Sequence, residues 1–135
     1  MSEHYYVRTG VLQDRPCKWA STSPNKWNWD KYMIYQAGWK GNINIFRLED
    51  IEASGSGMGT VFIKSLADEA YVNGAKTING EFAPRGIRER VRTWYENHGF
   101  EINDESELVG DVGTVAVACM KILRKYSTTY ELISF

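Results

Sequence analysis

The chain contains few cysteines and histidines, the residues that form disulfides and that most often bind metal ions. It has 2 cysteines, 2 histidines and 3 prolines among 135 residues. Cys17 and Cys119 stand far apart, and they do not combine with His4 or His98 at the spacing of a ligand set, so the sequence predicts no metal site. Cys119 lies within an apolar run and is expected to be a buried thiol.

Long apolar segments and an excess of one charge are also absent. No segment approaches the roughly eighteen apolar residues of a membrane helix, and the N-terminus lacks the apolar core of a signal peptide. We therefore expect a cytoplasmic protein that binds no membrane. The formal net charge of −1 creates no field that would attract nucleic acid. With 43% hydrophobic and 24% charged residues, the composition predicts one globular domain over residues 1–135.

What the chain does contain is a glycine-rich stretch between a predicted strand and a predicted helix. Residues 53–60 are Ala-Ser-Gly-Ser-Gly-Met-Gly-Thr, and Phe62, Leu66 and Ala70 then recur on one apolar face. Glycine backbone at a helix start, with its N–H groups and dipole, suits a phosphate or pyrophosphate. The alternative is a turn that only reverses the chain. Two known phosphate loops are excluded by Thr60. The nucleoside-triphosphatase loop needs a lysine directly after its last glycine, and the dinucleotide fingerprint needs its third glycine at this position.

Periodicity and turn residues predict a mixed α/β order of strands, helix, strand, helix and strands. The predicted strands span residues 4–12, 31–37, 43–51, 75–82, 100–102 and 114–123, with a last short strand in the tail after 124. The strands at 31–37 and 43–51 are expected to form an antiparallel hairpin. The first helix ends at Asn73-Gly74, and the second spans about 87–97. Residues 14–16 are predicted to form a turn and 103–110 an acidic loop, and the apolar run at 114–123 is predicted to be a strand buried on both faces.

Tryptophan is dense in the N-terminal third of the chain. Trp19, Trp27 and Trp29 fall within eleven positions, and such aromatics usually fill a core or one wall of a pocket. We expect them to be partly buried. The alternative is a surface that stacks on nucleic-acid bases.

Two blocks, in this order along the chain, resemble the GCN5-related N-acetyltransferase (GNAT) family. Residues 54–59, Ser-Gly-Ser-Gly-Met-Gly, align with the family's loop Arg/Gln-x-x-Gly-x-Gly/Ala. Residues 95–100, Tyr-Glu-Asn-His-Gly-Phe, match its block Tyr-Glu-x-x-Gly-Phe. The resemblance covers about residues 43–123 and implies a mostly antiparallel mixed sheet with flanking helices and one splayed pair of parallel strands. Residues 1–42 would then form a short acceptor-side region and 43–123 the cofactor-binding core.

The resemblance also implies a reaction. Acetyl-coenzyme A would lie between the splayed strands, and the amine of a small molecule or protein would attack its thioester directly. Tyr95 is the implied acid for the leaving thiolate, and Glu49 is our candidate base, with Asp50 and Glu52 as alternatives. The residues implied in cofactor binding are Ile51, Glu52, Ala53, Gly55, Ser56, Gly57, Met58, Gly59, Thr60 and Arg88.

Several alternatives remain open at this stage. Tyr95 could be a core residue, and Arg88 could belong to a solvated basic face. Ser54 stands where the family usually has Arg or Gln, and Arg88 stands where many members have Asn. These departures keep open a second hypothesis, a coenzyme A-binding module without turnover. A third hypothesis is a tryptophan-rich domain that binds nucleic acid or protein. The oligomeric state is also open, with a homodimer among the alternatives.

Overall fold

The computed structural model describes residues 3–12, 14–23, 31–37, 42–48, 57–81, 88–105 and 107–133. These residues form eight strands and three helices. In chain order the elements are β1 (Glu3–Leu12), β2 (Arg15–Ser21), β3 (Lys31–Ala37), β4 (Asn42–Leu48), α1 (Met58–Val72), β5 (Thr77–Glu81), α2 (Arg88–Asn97), β6 (Phe100–Ile102), β7 (Glu107–Asp111), α3 (Val112–Lys125) and β8 (Thr128–Leu132).

The strands form one mixed sheet in the order β6-β7-β5-β4-β3-β2-β1-β8. Two neighbouring pairs are parallel, β4 with β5 and β1 with β8, and the other neighbours are antiparallel. The predicted β3–β4 hairpin is confirmed. The predicted fold class, a mostly antiparallel mixed sheet with a parallel pair and flanking helices, is confirmed as well.

One face of the sheet carries the core. Tyr5 and Val7 alternate with more exposed residues along β1, as expected for a strand with one buried face. On β2, Lys18 lies opposite Met33 of β3 and sends its ammonium to Glu69 of α1, with Nζ 3.1 Å from Oε1. Helix α1 therefore covers this face, and Lys18 is only 2% exposed there.

Helix α3 corrects the sequence prediction for residues 114–123, which was wrong. The buried residues of α3 are Val112, Val115, Cys119 and Leu123, whose spacing of three and four is that of a helix face. The Asp111 carboxylate caps the helix by accepting a hydrogen bond from the Thr114 backbone N–H at 3.0 Å. The intervening alanines, valine and methionine made the run look continuously apolar, but they lie on the less buried sides.

Two further sequence predictions need correction. The acidic segment at residues 103–110 contains strand β7, whose Leu108 is buried opposite Gly80 of β5. Strand β2 starts at Arg15, inside the segment predicted as a turn. The turn itself is present at Asp14, where φ is +62°. The other predicted elements are confirmed to within a few residues, and Cys119 is buried as expected.

Gly110 lets α3 approach the sheet closely. A Cβ atom at this position would lie 2.7 Å from Val115 Cγ2 of α3 and 2.8 Å from Cδ1 of the Phe100 ring on β6. The missing side chain therefore makes room for Val115 and Phe100 to pack over β7.

The described helices include none that is both long enough and apolar enough to cross a membrane.

Candidate active site at the start of helix α1

Helix α1 begins without a side-chain cap. Its N-cap residue, Gly57, has φ +89° and ψ 0°, a left-handed conformation that glycine adopts most easily. The Gly57 carbonyl accepts the first helical hydrogen bond from Val61 N at 3.0 Å. Gly57 supplies no side-chain cap, and the first turn itself contains no acidic residue. Within the turn, no carboxylate therefore opposes an anion at the positive end of the helix dipole.

A buried histidine joins this turn to helix α2. His98, which follows α2, is 3% exposed, and its Nε2 lies 2.8 Å from the Thr60 hydroxyl. Its Nδ1 lies 2.6 Å from the Trp94 carbonyl oxygen, and the two rings stack with centroids 3.8 Å apart. Burial lowers the pKa of His98 below its ordinary value, so the ring is neutral at pH 7.

Tyr95 lies in the same block and faces the core. It is 7% exposed and packs edge-on against Trp94 and Phe100, with ring centroids 5.1 Å and 5.6 Å away. Burial raises the pKa of its hydroxyl, which is therefore protonated at neutral pH. No residue within the described ranges hydrogen-bonds to this hydroxyl. The sequence alternative, that Tyr95 packs in the core, agrees with the position of its ring.

The strands β4 and β5 pair in parallel, from Asn42 with Thr77 to Ile45 with Gly80. Strand β4 continues to Leu48, whereas the structure describes β5 only to Glu81, and residues 82–87 lie outside the described ranges. Just after Ile45 the pairing between β4 and β3 shifts register, which leaves one extra residue in β4 as a bulge. A bulge bends its strand and strengthens the local twist. The extra residue, Phe46, follows directly after Ile45, the last β4 residue in the described pairing with β5.

The structure describes only part of the site predicted from the sequence. Gly57, Met58, Gly59 and Thr60 form the start of α1, and Tyr95 and Arg88 belong to α2. The Arg88 side chain lies outside what the structure describes. The same holds for all atoms of the predicted base and the remaining loop residues, which are Glu49, Ile51, Glu52, Ala53, Gly55 and Ser56.

Sequence reasoning missed the role of His98. The signal was present, because His98 lies within the Tyr95–Phe100 block and four residues after Trp94, which places it one helical turn further along. Its partner Thr60 could not be inferred, because thirty-eight residues separate the two. No three His, Cys, Asp or Glu side chains in the described part of the chain are grouped as metal ligands.

The tryptophan-rich region is only partly described. Trp19 is partly buried, and the Arg8 guanidinium carbon lies 4.6 Å from its ring centroid. This cation–π contact covers one face of the ring, so a base could stack only on the other face. Trp27 and Trp29 lie outside the described residues.

No protein-family model matches the sequence, and no curated protein matches it significantly. Solved structures do match. One, described as a GNAT-family acetyltransferase from Desulfovibrio desulfuricans, superposes with a TM-score of 0.58 at 14% identity, covering 72% of this chain and 69% of that chain. The chain has the GNAT fold. An acetyltransferase of Bacillus subtilis in complex with coenzyme A gives a TM-score of 0.57 at 17% identity, covering 74% of this chain and 78% of that chain.

A third GNAT-fold match is AtaTR bound with acetyl-coenzyme A, with a TM-score of 0.58 at 13% identity and coverage of 76% of this chain and 71% of that chain. Identities this low establish the fold and not the activity. The parallel strands β4 and β5 and the glycine start of α1 thus belong to a fold that this chain shares with solved acetyltransferases.

Proposed function

We propose that the protein is an N-acetyltransferase that moves an acetyl group from acetyl-coenzyme A to an amine. The observation that carries the proposal is the GNAT fold together with the glycine start of α1, the helix that follows the parallel-paired strand β4. The pantetheine arm of coenzyme A contains amide groups, and it would pair with β4 beyond its bulge as an added strand does.

The pyrophosphate of the cofactor would lie at the start of α1. Backbone N–H groups and the helix dipole there favour an anion, and the first turn carries no acidic side chain to oppose it. The cofactor-binding set is the loop and first turn with Arg88 as a further candidate. It comprises Ile51, Glu52, Ala53, Gly55, Ser56, Gly57, Met58, Gly59, Thr60 and Arg88.

The chemistry is direct transfer. The amine nitrogen forms a bond to the thioester carbon, the carbon–sulfur bond breaks, and coenzyme A leaves as a thiolate. Glu49 is the proposed base that takes the proton lost by the amine, directly or through water. The acceptor is the amine of a small molecule or a protein.

Tyr95 is proposed to assist the leaving thiolate. Thiols have a pKa near 8.5, whereas burial raises the pKa of Tyr95 above the ordinary value for tyrosine of about 10. Complete proton transfer from Tyr95 to the thiolate would therefore be uphill. Its protonated hydroxyl can still donate a hydrogen bond to the developing negative charge on sulfur, and solvent then supplies the final proton.

The test is binding of coenzyme A by calorimetry and turnover of acetyl-coenzyme A by thiol release. A matched pair of variants, Met58→Glu and Met58→Gln, isolates the charge at the first turn of α1. Met58 packs, partly buried, against the core, so both changes remove the same apolar contact and only the difference between Glu and Gln reports the added charge. One added charge about 5 Å from each charged phosphate costs roughly 1–2 kcal/mol in a solvent-like medium.

Coenzyme A should therefore bind the Glu variant roughly tenfold more weakly than the Gln variant, while the two melt at similar temperatures. Equal affinity in the two variants would place the pyrophosphate elsewhere. Failure of the parent protein to bind coenzyme A at millimolar concentration would refute the proposed function. Binding without turnover, across a panel of small amines and lysine peptides, would support the non-catalytic alternative.

A further inference from the structure

We infer that His98 is a positioning residue, which holds the first turn of α1 in the geometry that binds the cofactor's pyrophosphate. The inference rests on the proposed function and extends it to a residue that lies outside the glycine loop. It starts from the Thr60–His98–Trp94 chain of contacts, in which one buried ring links two helices.

The hydrogen bonds fix the direction of each donor. A carbonyl oxygen can only accept, so the Nδ1 that lies 2.6 Å from the Trp94 oxygen carries the proton. The neutral ring then has a lone pair on Nε2, and the Thr60 hydroxyl, 2.8 Å away, donates to it. Both ring nitrogens of His98 are thereby satisfied in a site that is almost fully buried.

The first turn of α1 has a specific need for such a contact. Helices commonly begin with a Ser, Thr, Asp or Asn whose side chain bonds to the first turn, and this bond contributes about 1 kcal/mol. Gly57, the N-cap residue, has no side chain that could do this. The bond from Thr60 to His98 fastens the same turn from outside the helix and limits its fraying.

The contact also occupies the Thr60 hydroxyl. A threonine hydroxyl near a helix start can instead donate to its own helix backbone, which often bends the helix. Here the hydroxyl donates to His98, and we expect the backbone N–H groups of the first turn to be held in place with it. Ordering these groups before the ligand arrives lowers the entropy cost of binding.

The same ring ties this turn to the proposed catalytic helix. His98 bonds to Trp94 and stacks on its indole, and Trp94 is the neighbour of Tyr95. The anion site and the Tyr95 hydroxyl are thus connected through one buried contact. We expect loss of His98 to weaken recognition of the phosphate end of the cofactor rather than of its pantetheine end.

The test compares coenzyme A with pantetheine, which lacks the pyrophosphate, on the full chain by calorimetry. His98→Leu removes both hydrogen bonds, and His98→Gln retains an amide oxygen that can accept from Thr60. His98→Leu should weaken coenzyme A binding by about threefold to tenfold, the value of one neutral hydrogen bond, and leave pantetheine affinity unchanged. His98→Gln should restore part of the loss.

Thr60→Val removes the donor while keeping the side-chain shape, and it should weaken coenzyme A binding to a similar extent. A thermal melt will show whether His98→Leu folds, and if it does not, Thr60→Val replaces it in the comparison. Parent-like coenzyme A affinity in Thr60→Val or His98→Leu would overturn the inference, as would an equal loss for pantetheine, which indicates general loosening. These outcomes presuppose that the parent binds coenzyme A. If it does not, the proposed function fails first, so the two failures can be told apart.

Discussion

The substitution Tyr95→Phe separates a catalytic tyrosine from a core tyrosine. The ring is held by edge-on contacts with Trp94 and Phe100, at centroid distances of 5.1 Å and 5.6 Å, and phenylalanine preserves both contacts. The change removes only the hydroxyl, which accepts or donates no hydrogen bond within the described residues. We therefore expect the free energy of unfolding to change by less than about 0.5 kcal/mol.

The expected effect on turnover follows from the pKa of the hydroxyl. Because burial keeps it protonated, it can give the developing thiolate a hydrogen bond to a charged acceptor, which contributes about 1.5–3 kcal/mol. The rate of acetyl transfer should then fall by roughly 10- to 150-fold, with coenzyme A affinity unchanged. If Tyr95 transferred its proton fully as a general acid, the rate would typically fall by about a hundred- to ten-thousandfold, which is more than most of the range expected for a hydrogen-bond donor.

The assay measures thiol release from acetyl-coenzyme A with the most active amine, alongside calorimetry with coenzyme A and a thermal melt. A turnover equal to that of the parent would assign Tyr95 to the core alone. A large loss of stability together with turnover would show that the hydroxyl has a structural hydrogen-bond partner, and the reasoning above would be refuted.

Two further predictions concern stability. Gly110→Ala should lower the free energy of unfolding by about 1–3 kcal/mol, because the added Cβ would lie 2.7 Å from Val115 Cγ2. The control, Gly113→Ala in helix α3, should leave the free energy of unfolding unchanged or raise it, because alanine favours a helix more than glycine does. Urea unfolding measures both. Equal effects of the two changes would mean that α3 does not pack on β7 as described. Burial holds the pKa of His98 below 6.5, so its contribution to stability is complete above about pH 6.5 and is lost as the pH falls through the folded-state pKa. The parent should therefore lose more stability between pH 7 and pH 5 than His98→Gln, and identical pH profiles would contradict a neutral buried ring.

Local patterns predicted most of the elements correctly. Helix α1 was recognisable because Phe62, Leu66 and Ala70 recur on one face after a glycine N-terminal turn, and all three are buried. The β3–β4 hairpin followed from two β-rich runs separated by a short turn segment with glycines at positions 38 and 41. These features depend on residues close together in the chain, so periodicity and turn chemistry are enough to detect them.

The prediction for α3 failed because composition was weighed above spacing. Alternating small and branched apolar residues look alike in a buried strand and in a helix that packs against another helix. The deciding signals were the Asp111 cap and the basic Arg124 and Lys125 in the last turn, and both are local. An acidic cap at one end and basic residues at the other end together predict a helix over this segment.

The sequence by itself determined the glycine start of α1, the aromatic block of α2 and their order along the chain, because each is written in neighbouring residues. Only the tertiary structure decided that β4 and β5 are adjacent and parallel and that β4 contains a bulge where it pairs with β3. It also decided that Thr60 meets His98 across thirty-eight residues and that Lys18 is buried against Glu69. Such contacts follow from how the helices pack on the sheet, and the side-chain pattern of any single element does not specify which residue of another element it will meet.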